Sequence, residues 1–125
     1  TAAGGQMTAT FAHPPFLPVL APTLETAMLR IVQEAIQNVR LHSHASEVEV
    51  AISAEGDRIE LRVTDDGVGI EGSDRSGSHG SGFGLVSMRE RAQLVGGTFA
   101  IRSEAGRGTS VEVTVPLHHV HAAVT

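Results

Sequence analysis

The sequence predicts an α+β fold, a sandwich with helices on one face of a sheet. Three observations predict it. One long segment repeats its apolar residues at helical spacing, two pairs of alternating segments read as β-hairpins, and a shorter helical segment lies between those pairs. A chain of 125 residues suits one compact domain with one core. We expect that domain to occupy 1–125, with its core over about 20–116, a strand and Pro-rich connection over 1–19, and a loose tail over 117–125.

Taken in order, residues 1–6 are small and polar, and 7–11 suit an edge strand. Residues 13–22 hold four of the five prolines, which favours an extended connection. Leu24, Ala27, Met28, Ile31, Val32, Ala35, Ile36 and Val39 then recur at helical spacing. Thr23 is the expected N-cap, with Glu25 in the first turn complementing the helix dipole. Residues 47–52 alternate, with Val48, Val50 and Ile52 on one face, and Ile59, Leu61 and Val63 repeat the pattern after a turn at 54–58. Residues 65–84 are rich in Gly, Ser and Asp and read as a long loop, a length usually tied to function in small domains. A second helix is expected over 85–95, closed by Gly96-Gly97. The second hairpin runs over 98–103 and 109–115, with a turn at 105–108 and Pro116 at its end.

Composition narrows the function. Aromatic residues make up 3% of the chain, with no Trp or Tyr, so the core is aliphatic and platforms for base stacking are scarce. A net charge of −5 also argues against contact with a nucleic-acid backbone. The absence of Cys excludes disulfides and thiolate metal sites. Apolar runs fall far short of a membrane span. The first residue is Thr1, without a signal-peptide pattern, so the chain reads as a cytoplasmic fragment of a longer protein whose membrane anchor, if present, lies elsewhere.

Four segments carry possible chemistry. Arg30, Glu34, Asn38 and His42 are spaced to stack on one helix face, with Gln33 and Gln37 alongside. A solvated surface is the plain alternative, yet such faces usually carry Lys and Glu pairs, whereas this one carries amides and a single carboxylate. Carboxylate and amide oxygens suit Mg²⁺ or its waters. In Val63-Thr64-Asp65-Asp66-Gly67-Val68-Gly69-Ile70 a strand ends in an acidic pair and a glycine turn. A carboxylate there can accept from an exocyclic amine while glycine allows close approach, against the alternative of a plain Asp-Gly turn. The match of Gly67, Gly69 and Gly72 to a dinucleotide fingerprint is accidental, because no helix follows. Gly80-Ser81-Gly82-Phe83-Gly84-Leu85 does open a helix, whose N-terminal N–H groups suit a phosphate. Gly106-Arg107-Gly108-Thr109 reads by itself as a hairpin turn.

In this order, the helix bearing Glu34 and Asn38, D-x-G-x-G, G-x-G-x-G-L and G-x-G-T resemble the GHKL ATPase superfamily over about residues 20–116. That superfamily includes gyrase, a heat-shock chaperone, histidine kinases and a mismatch-repair protein. Arg30-Ile31-Val32-Gln33-Glu34-Ala35 with Asn38, residues 65–70, Gly82–Leu85, and Met88-Arg89-Glu90-Arg91-Ala92 with Gly96-Gly97 are similar to two-component sensor histidine kinases, those paired with helix-turn-helix response regulators. The resemblance implies a Bergerat-type two-layer sandwich with helices on one face of a mixed, mainly antiparallel sheet, and ATP bound beneath a lid at 71–81. It implies that Asn38 ligates Mg²⁺ and that Glu34, beside the metal, orients a water or acts as base. Asp65 is then expected to read the adenine amine, Gly67 and Gly69 to let the ring pack, Gly82 and Gly84 to admit the phosphates, and Thr109 to support the adenine end. Ile70, Gly80, Phe83, Leu85 and His42 complete the nucleotide-binding set. Many relatives carry a basic residue where this chain has Leu41.

The resemblance further implies partners: the dimerisation and phosphoacceptor domain of the same kinase and a cognate response regulator, with the full-length protein a homodimer and the isolated domain a monomer. None of the seven His lies in an acceptor context, so this chain is expected to bind Mg-ATP without phosphorylating itself. A serine kinase of the anti-sigma-factor type and a non-catalytic nucleotide-sensing or docking module are the alternatives. A metal role for His118, His119 and His121 lacks a carboxylate or Cys at ligand spacing.

Overall fold

Pro22 is the first residue of helix α1 (Pro22–Asn38) in a computed structural model that describes residues 7–14, 20–68, 84–104 and 106–116, without the side chains of His42 and Ser43. Proline suits that position, because its fixed φ is helical and its missing N–H has no intrahelical partner to lose. Ala21 therefore stands at the N-cap in place of the expected Thr23, and its carbonyl accepts the first helical bond from the Glu25 N–H at 2.9 Å. Leu24, Ala27, Met28, Ile31 and Ala35 form the buried face that the periodicity predicts.

After Asn38 the backbone widens into a single π turn over Val39–Ser43, closed by His44 in the left-handed region. A π turn advances less around the axis per residue, so the expected stack through His42 does not continue in register past Asn38. The remaining elements are strands β1 (Thr8–Ala12), β2 (Glu47–Glu55) and β3 (Arg58–Asp65), helix α2 (Leu85–Leu94), and strands β4 (Thr98–Glu104) and β5 (Gly108–Pro116).

The five strands form one sheet in the order β1-β2-β3-β5-β4. β1 is parallel to β2, since α1 carries the chain back between them; every other pair is antiparallel. Both helices contact the sheet, and the fold is α+β as expected. Strand alternation places Val48 and Val50, then Ile59, Leu61 and Val63, then Val111, Val113 and Val115 on one buried face with Leu24, Met28, Ile31, Met88 and Ala92. The opposite face carries Glu60, Arg62 and Glu112, with Arg62 bridging both carboxylates at 3.4 and 3.5 Å.

The end of α2 follows the glycine signal. The Gly96 and Gly97 N–H groups donate to the Gln93 and Ala92 carbonyls at 3.0 and 2.8 Å, the double bond pattern of a left-handed cap. A Cβ on Gly97 would lie 2.8 Å from the Thr114 carbonyl oxygen, so only glycine lets the helix end rest on β5. Arg89 of α2 lies over the Phe99 ring, 5.8 Å from its centroid. Among the described residues no helix is long and apolar enough to cross a membrane.

Candidate functional site

The alternation that buries Ile59, Leu61 and Val63 sends the next odd residue, Asp65, to the same face. At 7% exposure it is the one buried charged residue among those described. Its Oδ1 accepts the Gly67 N–H at 2.7 Å, and the Thr109 backbone gives a second bond. Burial pushes the Asp65 carboxyl above the usual 3.8; the Gly67 and Thr109 bonds pull it back and the neighbouring Asp66 charge pushes it further up. No cation pairs with it among the described residues.

The first and third glycine segments form one wall. The Gly106 N–H donates to the Val68 carbonyl at 2.7 Å, tying the β4–β5 turn to the loop after β3. Gly108 has φ +105°, and a Cβ there would strike the Asp65 carbonyl oxygen. β5 can therefore begin against the Asp65 backbone only as glycine. The Thr109 hydroxyl meets that of Ser103 at 3.2 Å. Asp65, Thr64, Thr109, Ser110, Arg102 and Arg107 are among the residues lining a 320 Å³ groove at this end of the ladder.

Asp66 points the other way. It accepts the Ser46 and Glu47 N–H groups at 2.9 and 3.0 Å and the Ser46 hydroxyl at 3.0 Å. Those bonds, led by that from Glu47, hold its carboxyl below the usual range. Its own N–H donates to the Glu47 carbonyl at 3.3 Å. Asp66 thus clamps the start of β2 to the end of β3.

On α1, Glu34 is half-buried and leans onto Gly84, where a Cβ would overlap its carboxylate. Gly84 is the N-cap of α2 with φ +62° and makes no side-chain cap bond. It meets two demands for glycine, a left-handed backbone and room for Glu34. Leu85 follows as the first helical residue, packed against the core. Asn38 lies one turn beyond Glu34 and is half-buried. The other side of Glu34 opens on a 300 Å³ recess shared by Arg30, Gln33, Gln37 and, from α2, Arg91. The polar stripe is therefore partly a wall between two helices, not a uniformly solvated face.

The expected residues fall into two groups: Asp65, Gly67 and Thr109 meet at the strand end, while Glu34, Gly84 and Leu85 meet at the start of α2 beside Asn38. Gly69, Ile70, Gly80, Gly82 and Phe83, the 71–81 lid, the His-rich tail and the His42 side chain lie outside the described residues. The residues alone present Asp65 and Asp66 as an acidic pair, and the resemblance singles out Asp65; strand parity distinguishes the two as well. Nothing in the sequence marks a role for Arg91 or the Gly106 bond.

Residues 23–119 match the family described as histidine kinase-, DNA gyrase B- and HSP90-like ATPase. The chain is 37% identical over 98 residues to the signal transduction histidine-protein kinase/phosphatase DegS of Bacillus subtilis, covering 78% of this chain and 26% of that protein. It is 40% identical over 94 residues to the sensor histidine kinase LiaS of the same species, covering 75% and 25% respectively. The chain thus spans about a quarter of the length of these relatives. Its fold superposes on the blue-light activated histidine kinase of Erythrobacter litoralis with a TM-score of 0.71 at 25% identity, over 90% of this chain and 36% of that one. The chain belongs to this ATPase family.

Proposed function

We propose that this family member binds Mg-ATP between Asp65 at the end of β3 and Gly84 at the start of α2, and donates the γ-phosphoryl group to a His on the separate dimerisation domain of the same sensor kinase. A response regulator then receives it. The observation that carries this reading is Asp65. A carboxylate buried at a strand end, backed by N–H donors and unpaired with any described cation, suits an uncharged donor such as an exocyclic amine.

The described residues fit both groups that the family implies. Gly67 keeps bulk away from the adenine plane, while Thr109 braces Asp65 from behind. Gly84 brings no capping side chain of its own to the first turn of α2, and the N–H groups of a helix start are donors suited to phosphate oxygens. Among the described residues no three His, Cys, Asp or Glu side chains cluster for a metal. Asn38 and Glu34 alone suit Mg²⁺, which usually takes few protein ligands and completes its shell with waters and phosphates. When bound, the ion would neutralise the phosphate charge. Glu34 then has a carboxylate placed to orient a water or accept a proton where the acceptor arrives, and Asn38 a carboxamide oxygen to offer. With Leu41 in place of a basic side chain, less of the phosphate charge is balanced by α1. We assign the domain to the cytoplasm, where ATP and response regulators are found.

γ-labelled ATP tests this reading, with the chain alone and with the acceptor domain of the same kinase. We expect label only on the added domain, in the acid-labile form that marks phosphohistidine. Label on the chain itself, or an acid-stable product, would overturn it.

A further inference from the structure

Arg91 is the polar residue to which the nucleotide site gives no part. Its Nε is buried without a hydrogen-bond partner, the one such side-chain atom among the described residues. A buried N–H left unmade is costly, and a native fold seldom keeps one without a use. Gly84, Met88 and Arg91 are spaced i, i+4, i+7 and so share one face of α2. On that face Gly84 meets Glu34 of α1, and Met88 is fully buried. Arg91 stands about 10 Å beyond Gly84 along the axis, and helical side chains lean back toward the N-terminus, the direction of Glu34.

The recess beside Glu34 offers Arg91 few acceptors. Arg30, Gln33, Glu34, Gln37 and Arg91 line it. Glu34 is the only carboxylate among them, and the Gln37 amide oxygen already accepts from Arg40 at 3.4 Å. Yet among the described residues no ion pair joins Glu34 to Arg91, because the carboxylate lies against Gly84 instead. Glu34 thus stands between two attractions, the partial positive charge at the start of α2 and the Arg91 guanidinium. A phosphate at the start of α2 cancels the first. Like charges in a cleft poor in water repel more strongly than in bulk solvent. The 300 Å³ recess borders Glu34 on its other side, and the side chain can turn into it about its sp³ torsions.

We infer that Arg91 is the positioning residue for Glu34: with a phosphate at the start of α2, the Glu34 carboxylate leaves Gly84 and accepts the Arg91 Nε–H, keeping its second oxygen for a water beside the metal. Arg30 is exposed, so solvent screens its charge and it adds little. This role rests on the nucleotide reading above, because a phosphate is what displaces Glu34.

The chain grown with isotope-labelled arginine is titrated with Mg-ATP, and the Arg91 Nε–H resonance, assigned in the wild type, is followed by NMR. We expect it to move downfield and to exchange more slowly with water as nucleotide saturates, and the Glu34→Ala chain to show neither change. In phosphotransfer to the acceptor domain, Arg91→Met should lower kcat about tenfold or more with KM for ATP within about twofold. Its melting temperature without nucleotide should hold or rise, since the N–H it removes had no partner. Arg91→Lys, which keeps the charge without the planar fork, should recover part of the lost kcat. In the Glu34→Ala background Arg91→Met should cost nothing more, the mark of a residue that acts through Glu34. An unmoved Arg91 signal in a wild-type chain saturated with Mg-ATP, or losses that add in the double variant, would overturn this role and leave the nucleotide reading standing. The NMR comparison needs no change at Arg91, so it decides even if the Arg91→Met chain fails to fold. A signal that moves as expected in a chain that transfers no phosphate would instead sink the phosphotransfer reading alone.

Discussion

The two sides of the β3 terminus treat the same chemical group in opposite ways. On the core side, Asp65 is buried and its carboxyl is pushed up; on the loop side, Asp66 is exposed, accepts three bonds from Ser46 and Glu47, and is held down. The difference follows from strand parity, because adjacent residues face opposite sides. Its thermodynamic meaning follows from the signs. A raised pKa means that stability is fully present below 3.8 and declines as pH rises through the higher folded value, so ionised Asp65 opposes folding at neutral pH. A lowered pKa means that Asp66 contributes stability above 3.8 and loses it as pH falls through the lower folded value. One carboxylate supports the fold, while the other is kept at the fold's expense and is therefore the better candidate for a ligand.

The largest expected effect comes from removing the costly charge. Asp65→Asn should lose ATP affinity by roughly ten- to a hundredfold, the worth of a hydrogen bond to a charged group, while its melting temperature holds or rises. Calorimetry and a thermal melt on one preparation check both halves; unchanged affinity in a folded variant would remove Asp65 from adenine recognition. Asp66→Ala should do the reverse on a smaller scale. It should cost about 1 kcal/mol in a urea titration, solvent screening holding the loss down, and leave ATP affinity within about twofold. The same pair of titrations at falling pH sharpens the contrast. Binding should weaken while pH is still above 3.8, and only then should the wild type lose the clamp that the Asp66→Ala variant never had.

Much of this arrangement was legible in the sequence because it rests on short-range regularities. The α1 stripe from Leu24 to Ala35, the two hairpins and the Gly96-Gly97 stop follow from period and turn chemistry, and each appears in the structure. Strand parity also carries Asp65 into the core row, although the sequence reading reached Asp65 through the resemblance alone. The helix start was displaced because proline at the first helical position removes the need for a side-chain cap, so Thr23 lost that role. The π turn left no periodic trace, since Val39 fits an α-helix equally well. Contacts across large sequence separations were beyond reach. Gly106 to Val68, Gly108 to Asp65 and Arg91 to the α1 recess depend on how the sheet and helices close, which no local pattern encodes.

The most direct test of the nucleotide reading is a calorimetric titration of the chain with ATP, in the presence and absence of Mg²⁺, repeated on Asn38→Ala. One saturable site that Mg²⁺ strengthens is expected in the wild type, with that dependence lost in the variant. Absence of binding up to millimolar ATP, or binding equally strengthened by Mg²⁺ in both proteins, would contradict it.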